Sequence, residues 1–311
     1  MFFKHLVVEP LQKKSLALFT FRLCQFLHVR TNGRFDLLVR RVIKPFRSKV
    51  TFPPSQLFPG TDASKVAASL KQDGYAVLDD TLPVHMIEEI KAFAFATPAY
   101  ATDPASTVAI TADSIPVEHP RYDWRICDLI GSQTIQKILF DSYFHGVAQE
   151  YLGCRPRLSL IVLWLNPPFR GENSQYVFHY DNDGPAFVKF FVYLSDVTEG
   201  NGPHVFIRKS HSPIKPRQFH KGSRYEESSL LEYFGAENKK TFVGPAGTMI
   251  AEDTMGFHRG SDVVKSYRLI FQLEYSVLDI PHVEEFGSGI QRLKINGLEP
   301  SIQKVLAKYY C

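Results

Sequence analysis

The strongest constraint on this chain is a change of texture at residue 157. From there on, short apolar runs follow one another: "RLSLIVLWLN", "QYVFHY", "AFVKFFVYLSD", "GPHVFIR", "KKTFVG", "GTMIAED" and "SYRLIFQLEYSV". Turn signals such as Asn201-Gly202-Pro203 and Gly244-Pro245 separate them. Each run has strand length and is rich in β-branched and aromatic residues. Strands in this spacing bury a face only against another sheet, so the expected class is mainly β, a sandwich or jelly-roll barrel.

Before residue 157 the chain reads differently. "TFPPSQLFPG" is a Pro/Gly connector that sets residues 1–50 apart from residues 51–311. "DASKVAASLKQDGYAVLDDTLPVHMIEEIKAFAFA" predicts helix, Gly turn, short strand, turn and helix. Residues 97–120 read as loop, and "GSQTIQKILFDSYFHGVAQEYLG" as one helix ending at Gly153. With 311 residues, 44% hydrophobic and 22% charged, the composition is that of a globular protein. The four cysteines, Cys24, Cys127, Cys154 and Cys311, are scattered and form no CxxC pair. A disulfide framework or zinc knuckle is not expected, and a reducing cytoplasmic setting fits.

The net charge of +4 conceals an asymmetry. Residues 1–50 hold eleven Lys and Arg against Glu9 and Asp36, a net +9, while the remainder is net −5. In "RFDLLVRRVIKPF" the apolar residues Phe35, Leu38, Val39, Val42, Ile43 and Phe46 fall on one helical face, and Asn32 is placed to cap the helix. A second apolar stripe runs through Leu16, Phe19, Leu23, Phe26 and Leu27. Such a basic head can lie on an anionic membrane surface, peripheral on its inner face. It can equally pack its apolar face on the main domain or across a dimer. Its aromatics lie on the apolar face and do not interleave with the charges, which argues against nucleic acid.

One polar interruption carries chemistry. In "QYVFHYDNDGP", His179 and Asp181 sit two residues apart, and strand residues i and i+2 share a face. Two such ligands hold a redox metal poorly, so a third is expected among His204, His211, His220 and His258. His258 stands out, because "GTMIAEDTMGFHRGS" reads strand, loop, His, and Arg268 follows in the next strand. Two histidines and a carboxylate form the facial triad of non-haem Fe(II) oxygenases, with open positions for a 2-oxo acid and O2. Arg268 supplies the planar fork that grips the distal carboxylate of such an acid. The other three histidines read as structural or surface residues.

These motifs resemble the phytanoyl-CoA dioxygenase-like family of Fe(II)/2-oxoglutarate oxygenases. The resemblance rests on "HYD", "YLSDVTEGNGPHVFIRKSH", "FHRG" and "RLIFQLEY", together with "LKQDGYAVLDDTL", and spans residues 60–278. It implies a double-stranded β-helix (jelly-roll, cupin-like) core flanked by N-terminal helices. It also implies iron at His179, Asp181 and His258, and 2-oxoglutarate on Arg268. Where the family block reads Pro-Gly-Ser-His, this chain has Arg208-Lys209-Ser210-His211. Where some members place a co-substrate Ser, it has Gly260, with Ser261 next. The second co-substrate contact then falls to Lys189 or Tyr193, Lys189 being equally readable as a solvated lysine. Halogenating relatives replace the carboxylate, so the resemblance with Asp181 present implies hydroxylation or another oxidation over halogenation.

The run from Arg208 to Arg224 holds six basic residues, Lys215 and Arg217 among them, and "HPRYDWRI" adds Arg121 and Arg125. Arg125, Arg170 and Arg217 are the candidates for contact with an anionic substrate, although a basic run is as often a solvated face. With the basic head, the profile matches enzymes that hydroxylate the Kdo sugar of lipid A. That match is one of charge profile, not of motif. A fatty acyl or small amphiphilic substrate, and a catalytically silent binding module, are the alternatives.

Overall fold

The computed structural model describes residues 16–101 and 107–278. Lys4, Lys13 and Lys14 of the basic head, and Cys311, lie outside them. Two helices open the described chain, α1 (Leu16–Thr31) and α2 (Arg34–Ile43). Asn32 and Gly33 between them both take left-handed backbone conformations, φ 49° and 72°. Asn32 does not cap α2. Its side chain instead bridges to Lys215, donating to the carbonyl at 2.8 Å and accepting from the amide at 3.0 Å. Thr31 Oγ1 accepts from Phe35 N in its place. A Cβ on Gly33 would lie 2.1 Å from the Pro213 carbonyl oxygen, so this close approach needs glycine.

The expected helix–strand–helix follows as α3 (Ala63–Asp73), β1 (Tyr75–Val77) and α4 (Val84–Ala96). Asp62 caps α3 by accepting from Ser64 N, and Gly74 ends it at φ 86°. The segment 97–120 contributes short strands β2 (Ala99–Tyr100) and β3 (Thr107–Val108); β4 (Tyr122–Asp123) and α5 (Ile126–Leu129) come next. The single helix expected over residues 131–153 is two, α6 (Gln133–Phe140) and α7 (Ser142–Leu152). Asp141 breaks it in an extended conformation. Its carboxylate accepts from Tyr143 N to start α7, and from Ser55, Gln56 and Leu57 of the connector.

The remaining strands are β5 (Arg157–Asn166), β6 (Phe187–Tyr193), β7 (His204–Ile207), β8 (Lys239–Phe242), β9 (Met249–Glu252), β10 (His258–Arg259) and β11 (Arg268–Ser276). One helix intervenes, α8 (Glu227–Phe234). They form an antiparallel sheet in the order β1-β9-β6-β11-β5-β4-β2-β3 and a small sheet β10-β7-β8, which an isolated bridge His179↔His258 widens. From β8 on, the strands alternate between the two layers, β8 and β10 in the small sheet and β9 and β11 in the large one, as in a double-stranded β-helix. Every residue of β6 and β11 is buried, because the large sheet is covered on both faces. Phe190 and Phe271 point to the helices, where Phe144 of α7 meets Phe190 edge-on at 5.1 Å. Lys189, Phe191, Arg268 and Gln272 point the other way, into the space between the sheets. Among the described residues no helix is long and apolar enough to cross a membrane, and Cys24, Cys127 and Cys154 are unpaired.

Candidate metal centre

Strand register assembles the site. His179 and His258 face each other across an antiparallel bridge, exchanging both backbone hydrogen bonds at 3.0 and 2.8 Å. Asp181 N donates to Thr254 O at 2.8 Å, so the His179–Asp181 pair and the turn before His258 are clamped together. The result is a cluster of one ligand atom each from His179, Asp181 and His258, all within 4.8 Å of one another. His258 Nε2 lies 3.5 Å and His179 Nε2 4.0 Å from the Asp181 carboxylate.

The donor set fits a divalent metal in its protonation as well as its spacing. Nδ1 of His179 donates to the Val177 carbonyl and Nδ1 of His258 to the Gly256 carbonyl, both at 2.9 Å. A carbonyl only accepts, so Nδ1 carries the proton and Nε2 is left as the ligand nitrogen. Burial pushes both imidazoles below their ordinary pKa, keeping them neutral. Burial opposes ionisation of Asp181, but the Lys189 ammonium, which also donates to it, outweighs burial and holds the carboxyl well below its usual range. Neutral imidazoles and an ionised carboxylate are the forms that bind metal.

Lys189 is fully enclosed. Its Nζ donates to Asp181 Oδ2 and Asp183 Oδ2, both at 2.7 Å, and lies 3.5 Å from Glu274 Oε2. Burial lowers its pKa, yet these carboxylates raise it well above the ordinary value. It therefore steadies the oxygen of Asp181.

A cavity of about 230 Å³ opens beside the triad and ends at Arg268. Arg268 is 5% exposed. Its Nε and Nη2 donate to Asn166 Oδ1 at 3.2 and 2.8 Å, and its Nη1 to the Gly202 carbonyl. Asn166 stands directly opposite Arg268 in the β5–β11 register. Among the described residues no carboxylate pairs with this guanidinium, and its pKa is lowered, chiefly by burial and further by the Arg121 cation. A buried, unneutralised cation is costly unless an anion joins it. Gly260 lies between Tyr176 and Arg268: an added Cβ would meet Tyr176 Cδ1 at 3.2 Å and Arg268 Nη2 at 3.5 Å. The ring of Tyr176 thus fills the space beside Gly260. Its buried hydroxyl has no hydrogen-bond partner among the described residues.

The structure gathers His179, Asp181, His258, Arg268 and Lys189 in one cavity, with Lys189 engaged by carboxylates rather than facing solvent. Tyr193 does not line it; its hydroxyl donates to the Phe242 carbonyl at 3.1 Å, in a cluster with Trp164 and Phe206. Arg125 lies over the Tyr100 ring at 4.0 Å, and Arg170 and Arg217 are exposed, all three outside the cavity lining. Arg121 does line it, paired with Asp123 and stacked over Trp164 at 4.6 Å. His204, read as structural from sequence, also lines the cavity, its ring stacked on His258 at 5.4 Å. Its Nε2 lies 2.8 Å from the fully buried Glu252. Burial pushes His204 down to about 3 and Glu252 well up, so both are neutral. Asn166, Tyr176 and Glu252 were not singled out from sequence.

Fold and geometry define a double-stranded β-helix protein with a site for a metal between its sheets. The chain matches no protein-family model and no curated protein. Solved structures share its fold. EctD from S. alaskensis, determined with 2-oxoglutarate and 5-hydroxyectoine, aligns with a TM-score of 0.50 at 23% identity, over 78% of this chain and 86% of its own. The non-heme alpha ketoglutarate dependent epimerase SnoN from nogalamycin biosynthesis aligns with a TM-score of 0.50 at 15% identity, over 68% of this chain and 82% of its own. AviO1 from Streptomyces viridochromogenes Tue57 gives 0.50 at 15%, over 73% of this chain and all of its own, 100%. At these identities the likeness is one of fold.

Proposed function

We propose that this chain is an Fe(II)- and 2-oxoglutarate-dependent oxygenase of the phytanoyl-CoA dioxygenase-like type. The observation that carries the reading is the pairing of two features lining one cavity: a His179–Asp181–His258 cluster with both histidines buried and a buried arginine that has no carboxylate partner among the described residues. A 2-oxo diacid has a chelating end for the first and a carboxylate for the second. EctD and SnoN, which share the fold, are described with 2-oxoglutarate or as dependent on it.

Bound Fe(II), with 2-oxoglutarate and O2, supplies an oxidant able to attack a C–H bond. The chain's own residues do the rest. His179 and His258 present Nε2, and Asp181 presents one oxygen while Lys189 holds the other. Arg268, held flat by Asn166, takes the distal carboxylate, and the Tyr176 hydroxyl is the second donor to it. Val162, Trp164 and Phe191 wall the cavity and exclude water. As a hydroxylation the reaction balances as substrate C–H, O2 and 2-oxoglutarate giving substrate C–OH, succinate and CO2. SnoN, an epimerase, shows that the scaffold also serves other outcomes.

The substrate in this reading is polar or anionic, with the Kdo sugar of lipid A as the named candidate and a fatty acyl or small amphiphile as the rival. Arg121 on the cavity wall and the basic head support the anionic choice. The test is succinate release from 2-oxoglutarate with added Fe(II), against Kdo-bearing lipid A and acyl substrates, with His179→Ala as control. Turnover that depends on His179 is expected. Protein that binds no iron and turns over no more 2-oxoglutarate than His179→Ala is a silent module, and the reading fails.

A further inference from the structure

Helix α2 is built inside out. Its sequence gathers large apolar residues on one side, the pattern of a helix facing a core. In the fold it turns a largely polar side to the domain, Ile43 alone packing on the apolar cluster of Leu152, Cys154 and Val277. Asp36, 1% exposed, pairs with the equally buried His28 of α1. Arg40 reaches inward, its Nε donating to the Pro185 carbonyl at 2.5 Å and its Nη2 to Met255 Sδ at 3.1 Å. The apolar side is left in water: Leu38 is 59%, Val42 52% and Phe46 84% exposed. A fold that buries an ionisable pair and turns an arginine inward while exposing these side chains has reversed the usual preference.

The charge around this face has one sign. Between residues 16 and 50 the sequence holds eight Lys and Arg and a single acid, Asp36, which is consumed in the buried pair. Arg34 and Arg41 on the same helix, and Lys44 at its C-cap, where a 3-10 turn (Lys44–Phe46) begins, are exposed beside Leu38 and Val42, with no carboxylate of the helical pair to neutralise them. An apolar strip flanked by long cationic side chains is the chemistry that lies in the headgroup layer of an anionic bilayer. A second copy of the chain fits worse, since a two-fold contact would bring the same cations together.

We propose that the exposed face of α2 and of the 3-10 turn that continues it docks this protein on an anionic phospholipid surface, Leu38, Val42 and Phe46 entering the boundary between headgroups and acyl chains and Arg34, Arg41 and Lys44 meeting the phosphates. The proposal is independent of the oxygenase reading and stands or falls separately.

The experiment is co-sedimentation of the full chain with vesicles of phosphatidylcholine alone or mixed with phosphatidylglycerol. Wild type is expected to pellet with the mixed vesicles and to be released by salt. The triple variant Arg34→Gln, Arg41→Gln, Lys44→Gln is expected to lose about fivefold in affinity per cation removed. Leu38→Ser, Val42→Ser, Phe46→Ser is expected to abolish pelleting at unchanged melting temperature. Should that variant melt early, the single Phe46→Ser, at the most exposed position, carries the test with a partial loss. Wild type left in the supernatant with both vesicles overturns the proposal, as does an apolar variant that pellets like wild type. So does a wild-type dimer that the apolar variant converts to monomer while vesicles have no effect, which assigns the face to a second copy.

Discussion

Arg268→Gln tests the far end of the cavity most directly. A guanidinium has five N–H groups. In the structure three are engaged, two on Asn166 and one on Gly202. One N–H on Nη1 and one on Nη2 are therefore left for an incoming carboxylate, a two-pronged contact. Charge-assisted hydrogen bonds contribute about 1.5–3 kcal/mol each. Losing two should cost about 3–6 kcal/mol, or roughly 10²- to 10⁴-fold in affinity for a 2-oxo acid with a distal carboxylate. A 2-oxo monoacid of similar length makes no such contact and should be unaffected. The assay is anaerobic binding of 2-oxoglutarate and 2-oxobutyrate to the Fe(II)-loaded protein, before and after substitution. Wild type should discriminate strongly and Arg268→Gln hardly at all. Equal losses for both acids would mean that Arg268 only props up the fold, and retained discrimination would mean that the carboxylate binds elsewhere. Either result refutes the assignment, provided that Fe(II) affinity is intact.

Tyr176→Phe should weaken 2-oxoglutarate binding by about tenfold, one charge-assisted bond, and leave Fe(II) affinity unchanged; a titration that shows no loss removes Tyr176 from the carboxylate site. Lys189→Met leaves Asp181, Asp183 and Glu274 without their shared cation and should destabilise the metal-free protein by about 3–5 kcal/mol. Added Co(II) should then raise the melting temperature more in the variant than in wild type, because the metal replaces the lost charge; an equal rise in both contradicts this. Burial pushes His145 down to about 4, whereas the unfolded chain takes up the proton near 6.5. Between those values the unfolded state binds the extra proton, so stability is full above about pH 6.5 and falls as pH drops toward 4, on the order of 3 kcal/mol in all. In denaturant titrations the difference in stability between wild type and His145→Gln should shrink across that window, and a constant difference rules out the effect.

The fold and the metal cluster were readable for different reasons. Strand texture after residue 157 is periodic and punctuated by turns, so the two-layer β architecture follows from local pattern. His179 and Asp181 share a face by the two-residue period, and His258 follows from its place after a strand. What lay beyond reach depends on register and on loop closure. Asn166 matters because β5 and β11 pair with it opposite Arg268, and no local pattern states that pairing. Tyr176 reaches the site from a short 3-10 turn, and only fold closure brings it over Gly260, far along the chain. Tyr193 has the same strand parity as Lys189 and Phe191, yet two residues past Phe191 the sheet has left the cavity and its hydroxyl meets Phe242. The basic run after Ile207 is no continuous patch: Arg208 pairs with Asp73, and Lys215 is buried on the carbonyls of Ser210, Ser212 and Met255. The break at Asp141 was hidden because apolar residues continue on both sides of a residue whose capping role depends on its neighbours.

The helical head poses the sharpest case of a pattern with two readings. Amphipathicity says that an apolar face exists, not what it meets, and here the polar face meets the domain. That choice ties the head to the site. Gln25 Nε2 donates to Asn182 O at 3.0 Å, one residue past Asp181. Arg40 joins Pro185, beyond that turn, to Met255, three residues before His258. The head therefore braces both segments that carry the metal ligands, and the Pro-rich connector after residue 50 does not separate two independent functions. Removing residues 1–50 should lower Fe(II) affinity and the melting temperature together with membrane binding. Serine substitutions at Leu38, Val42 and Phe46 should lower membrane binding alone. If the truncated protein binds Fe(II) and melts like the full chain, the contacts through Gln25 and Arg40 are incidental, and the head is only an anchor.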